Sequence, residues 1–141
     1  MRLTTIATAA ALLGAATAVH AAAPLTPARA VAWLEAQGLQ RPAGKPLPRV
    51  ELVSDPGAYV DVPARYGAYS RGVVYLATWL PPAHRDAVLL HEVAHWMQPA
   101  GCLGARELEA HTLTARWMAR TGRPGPRIPW AAVRAEAEAC Q

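Results

Sequence analysis

The run Val88-Leu89-Leu90-His91-Glu92-Val93-Ala94-His95-Trp96-Met97 constrains this chain more than any other part of it. It contains neither glycine nor proline, Pro81-Pro82 precedes it, and Pro99-Ala100-Gly101 follows it, so it predicts a helix from about residue 82 to Gln98. A helix that is apolar on most sides must be covered by the rest of the fold, and ionisable residues inside it need a reason to be there. Residues four apart share a helical face, so His91 and His95 can aim both imidazoles at one point. Glu92 is turned about 100° from His91, which makes it a neighbour of that point and not a third member. The pattern is HExxH, which chance produces about once in a hundred chains of this composition. Its chemistry is a divalent metal held by two imidazoles with a carboxylate beside the metal's water. The bland alternative is a pair of partly exposed helix histidines with no metal.

Two imidazoles do not make a stable site; a third protein ligand and an open fourth position are needed. The next predicted helix, residues 105–120 between Gly104 and Thr121-Gly122, carries Arg106-Glu107-Leu108-Glu109-Ala110-His111. Glu107 and His111 are four apart and share a face, whereas Glu109 points elsewhere. Eleven residues separate His95 from Glu107, enough for this helix to fold back across the first. His84 lies two turns before His91, about 10 Å along the axis, too far to reach the same ion, and reads as a solvent-exposed first-turn residue.

The remaining chain supplies one small domain. Residues 1–23 carry a single charge at Arg2, an uncharged stretch rich in Ala, Leu and Thr, and small-x-small patterns at Val19-His20-Ala21 and Ala21-Ala22-Ala23. This is the layout of a secretory signal peptide, assigned here to residues 1–22, and the apolar stretch is short for a membrane span. Residues 23–141 then form a single exported domain, periplasmic or secreted, with no stable membrane anchor. In an oxidising compartment an even cysteine count points to a Cys102–Cys140 disulfide; with no CxxC, a thiolate metal site is the poorer reading. Thirteen prolines and ten glycines exclude a long helical rod. The net charge of +4 comes from scattered Lys and Arg with no basic run, so nucleic acid is not an expected partner.

Thr26-Pro27 predicts a helix start and Gly38 its stop. Residues 49–53 alternate polar and apolar and predict a strand, and residues 66–69 and 73–78 flank Ser70-Arg71-Gly72 as a hairpin. A short helix is predicted over 129–139. The five tryptophans, with Leu89, Val93, Leu108, Leu113 and Val133, are expected in the core. The fold class is α+β: a small antiparallel sheet, the HExxH helix, a second ligand-bearing helix and short terminal helices.

On HExxH followed by Glu107-Leu108-Glu109-Ala110 (ExxA), the chain resembles the gluzincin-type zinc metallopeptidases. Gly67-Ala68-Tyr69, Val74-Tyr75-Leu76, Cys102 and Arg116-Trp117 extend the likeness to a group of small exported bacterial zinc-peptidase-like domains. The resemblance implies a minimal zincin-like fold in which His91, His95 and Glu107 hold zinc and Glu92 acts as general base on a peptide or protein substrate. His111 stands where related families often carry Asp, Asn or Tyr; it is assigned to orienting a histidine or stabilising an oxyanion, with replacement of Glu107 as ligand still open. Tyr69 and Tyr75 are further oxyanion candidates, and by analogy the strand at 73–78 is the edge to which a peptide adds. A monomer is expected. Two other readings stay open: a non-catalytic zinc-binding protein, and an interaction module on a zincin scaffold.

Overall fold

The computed structural model describes residues 22–61 and 64–141. The signal peptide assigned to residues 1–22 therefore lies, but for its last residue, outside the described residues. Among the described residues no helix is long and apolar enough to cross a membrane.

The described residues are α+β, with four α-helices and one three-stranded sheet among them. Helix α1 (Pro27–Ala36) starts where the Thr26 hydroxyl accepts from the Arg29 amide, and ends at Gly38, whose φ of +104° suits a glycine stop. Strands β2 (Gly67–Ser70) and β3 (Val73–Ala77) form the predicted hairpin. Its turn has two residues instead of three: Arg71 and Gly72 both take positive φ, the conformation that matches the twist of paired strands.

Strand β1 (Arg49–Val53) corrects the expected all-antiparallel sheet. It pairs parallel with β3, so the order is β1-β3-β2 and the sheet is mixed. The physical reason lies in the connection. β1 and β2 run in opposite directions, so residues 54–66 need only bridge one end of the sheet, and β3 then inserts between the two. Alternation reveals a strand but not its neighbour. The same topology makes β3 the central strand, which removes it as a peptide-accepting edge; β2 and β1 are the edges.

Helix α2 (Pro82–Met97) crosses the sheet and is buried on most of its circumference, as its composition demands. It packs between the sheet, α1 and α3 (Leu103–Thr121), with Leu34, Val74, Leu80, Leu90 and Val93 at the centre of the core. Trp96 and Trp117 are buried there and Trp33 packs against it, but Trp79 is 53% exposed, and Trp130 and Leu108 are only partly covered, contrary to expectation. His84 is half-buried, not solvent-exposed. An ion pair between Asp86 of α2 and Arg123 fastens the N-terminal segment: Asp86 Oδ1 accepts from the Leu25 amide at 3.0 Å, and Arg123 donates to the Ala23 carbonyl at 2.7 Å.

Helix α4 (Trp130–Glu138) packs along α3. Gly104, inside α3 and not before it, permits this, because a Cβ there would collide with the backbone of Glu136. Cys102, just ahead of α3, is bonded to Cys140, just past α4, with Cα atoms 5.9 Å apart. Closing a loop of 38 residues constrains the unfolded chain by roughly 4 kcal/mol in the chain-entropy model. Cys140→Ser is expected to lower stability by about 2–4 kcal/mol, measured by denaturant unfolding under non-reducing conditions. A smaller loss than 1 kcal/mol would show that packing of α4 on α3 suffices alone.

Candidate metal centre

Three residues from two helices meet at one point. His91 and His95, a turn apart on α2, bring their Nε2 atoms within 3.1 Å of each other. Glu107 of α3 straddles them, with Oε2 3.2 Å from His91 Nε2 and Oε1 3.1 Å from His95 Nε2. The close crossing of α2 and α3 rests on the small, fully buried Ala110, one turn beyond Glu107. These three residues form a group that could hold a metal ion.

Their electrostatics agree with a cation at the centre. Burial disfavours the charged forms of both partners, yet the contact reverses it: the two imidazoles hold the Glu107 carboxyl well below the usual carboxylate range. For His95, burial pulls the imidazole down, but the hydrogen bond to Glu107, with Glu92 nearby and Gln98 beyond, raises it above the ordinary value. Imidazole protons can fill these 3.1–3.2 Å contacts, and a cation could take their place between the same donors.

Gln98, invisible to motif reading, explains how His95 is set. Its Nε2 donates to the Arg106 carbonyl at 2.9 Å and to Glu109 Oε2 at 2.8 Å. Its oxygen therefore faces His95 Nδ1, at 2.8 Å, and accepts the ring N–H, which fixes the ring with Nε2 turned to Glu107 and available to a metal once it loses its proton. Glu109, expected to point elsewhere, does so, and its use is to anchor this amide. The available signal was Gln98 standing three residues after His95, on the same face. Gln98→Ala is expected to weaken metal binding about 10–100-fold, read by chelator competition, and Gln98→Glu should not rescue it, because a carboxylate there would face the Arg106 carbonyl and the Glu109 carboxylate.

Glu92 is 6% exposed and stands apart from the three, on the cleft side of α2. Burial pushes its carboxyl up, although the charges of His91 and His95 act the other way. It packs under Gly67 of β2: a Cβ at that glycine would come within 2.6 Å of Val88 and 3.0 Å of Glu92 Oε1. Only glycine lets the edge strand lie this close to the helix.

His111 tilts against the His91 ring with centroids 4.3 Å apart, and its Nε2 is 3.5 Å from Glu107 Oε2. It is not a member of the metal-holding group. Burial and then the charge of His91 push it down to about 4, so it is neutral near pH 7. Tyr69 lines the cleft beside the group. Tyr75 does not: it pairs with Ala68, on the opposite face of the sheet from Gly67 and Tyr69, and stacks on Tyr59 at 4.1 Å. Its proposed oxyanion role is therefore withdrawn.

The group floors an open cleft of about 380 Å³. β2 forms one wall and the connector at residues 126–129 lines another part of it, a wall that no local signal in residues 126–129 places there. Comparison with protein-family models, with curated proteins and with solved structures finds no match for this chain.

Proposed function

We propose that the chain is an exported zinc-dependent peptidase on a minimal zincin-like scaffold, with His91, His95 and Glu107 as ligands and Glu92 as general base. The observation that carries this reading is the convergence of three lone-pair donors beside a buried carboxylate on the floor of an open cleft. Donors about 2.0–2.1 Å from a tetrahedral zinc stand about 3.3 Å from one another. The separations of 3.1–3.2 Å are close to that requirement, and two imidazoles with one carboxylate suit zinc.

A zinc ion there would supply Lewis acidity, acidifying water and polarising a substrate carbonyl. The protein's own residues do the rest. Glu92, kept out of the ligand set by its turn around α2, is free to take a proton from water and hand it to the leaving amine. Its raised affinity for protons suits it to both halves of that transfer. Neutral His111 and the Tyr69 hydroxyl are two side chains of the cleft that can donate to an oxyanion. β2, a free edge held against Glu92 by Gly67, replaces β3 as the strand along which an extended peptide would add.

The test is a metal-dependent cleavage assay on the oxidised chain without residues 1–22. A mixed peptide library should be cut in the presence of one equivalent of zinc, and cutting should stop with a chelator and return when zinc is restored. Stoichiometric zinc without cleavage would replace this reading with a non-catalytic zinc-binding protein. Failure to take up zinc would remove both.

A further inference from the structure

Three arginines that lie far apart in sequence line the same cleft. Arg65 immediately precedes Tyr66 and β2, Arg106 stands next to Glu107 on α3, and Arg127 belongs to the connector before α4. Arg65 lies over the Tyr66 ring at 5.3 Å. Arg106 donates to the His95 carbonyl at 3.4 Å, and its buried Nε has no hydrogen-bond partner. None of the three is in an ion pair among the described residues.

The carboxylates nearby do not neutralise them. Glu107 is engaged by His91 and His95, and Glu92 is buried under Gly67. The other acidic residues lie outside the cleft lining; Asp86 is paired with Arg123 and Glu109 is held by Gln98. A divalent ion held at the floor would add further positive charge. Between walls of low dielectric, several guanidinium groups of one sign focus a field into the cleft. The remaining lining is largely apolar, with Val60, Ile128 and two prolines, and offers no acidic side chain to receive a cationic one.

We propose that this cleft selects peptides carrying a carboxylate close to the bond presented to the metal. Guanidinium groups pair with carboxylates through parallel N–H donors, which gives direction as well as attraction. The carboxylate can come from an Asp or Glu side chain or from a free peptide C-terminus. This inference names the substrate class of the peptidase reading above and rests on that reading for its meaning, but binding tests it separately from turnover.

The experiment measures fluorescence anisotropy of four labelled alanine-based hexapeptides on the zinc-supplemented Glu92→Gln chain. One is blocked at both ends, one is blocked with a single central Glu, one is blocked with a central Lys, and one has a free C-terminus. At low salt, one or both carboxylate peptides should bind at least 10-fold more tightly than the blocked neutral peptide, and the advantage should shrink at 0.5 M salt. Whichever of the two wins identifies the source of the carboxylate. Arg65→Gln and Arg127→Gln alter exposed side chains; each should cost the carboxylate peptide about 2- to 5-fold and leave the neutral peptide unchanged. This also separates recognition by arginine from direct ligation of the metal by the peptide. Equal binding of all four, tighter binding of the Lys peptide, no measurable binding, or a preference untouched in the double variant overturns the proposal. If the preference stands while the unsubstituted chain cuts none of the four peptides or a mixed library, the peptidase reading fails and the anion-selective cleft survives. Cleavage without preference gives the converse.

Discussion

Glu92→Gln is expected to lower peptide turnover by about 10²–10⁴-fold while leaving metal content unchanged. Glutamine has nearly the same shape, so it fits the space beneath Gly67 that admits the native side chain. It lies outside the group of three donors, so the metal should not notice the exchange. What is lost is the ability to accept a proton. A pH profile sharpens the point. A general base works only when ionised, and burial has raised the carboxyl, so activity in the native chain should fall as pH drops through that raised value. The variant should lack this acid limb. Turnover within a few-fold of native, with metal retained, would end the general-base assignment.

Glu107→Ala should produce the second large effect: loss of metal affinity by more than the roughly 100-fold that an outer hydrogen-bonding partner can cost. The carboxylate spans both imidazoles, and two histidines alone leave the set one donor short. Thermal unfolding gives an independent reading. Zinc at 100 times its Kd should stabilise the native chain by about 2.7 kcal/mol, and this increment should vanish in the variant. Glu109→Ala serves as the control. Glu109 touches the site only through Gln98, so it should lose no more than Gln98→Ala does. If Glu107→Ala kept the metal while His111→Ala released it, the third ligand would be His111, whose ring already lies against His91.

Much of this architecture was readable from local chemistry. Thr26-Pro27, Pro81-Pro82 and Gly122 punctuate helices through backbone rules that act within a few residues, and the observed ends fall close to them. HExxH declares a shared face because helical geometry fixes which side chains are neighbours. The disulfide followed from parity and compartment. What escaped depends on chain segments meeting at a distance. β1 alternates like any strand, but nothing in Arg49–Val53 says that β3 will slot in beside it, parallel. Gln98 reads as a helix terminus until Arg106 and Glu109 arrive to occupy its amide nitrogen. Tyr75 was a reasonable hydroxyl donor until register turned it to the far face. The positive charge is the clearest case. Its arginines are dispersed along the chain and mean little singly, yet folding gathers Arg65, Arg106 and Arg127 around one opening.

The Cys102–Cys140 bond also bears on the shape of the cleft. The connector at residues 126–129, which lines the cleft and carries Arg127, is strung between α3 and α4, the two helices whose far ends the bond ties together. In a nascent chain with both thiols free, that wall depends on packing alone. The bond thus holds at a set spacing the two helices between which the Arg127 wall hangs, and a local crosslink outside the three metal-facing donors shapes the opening above them.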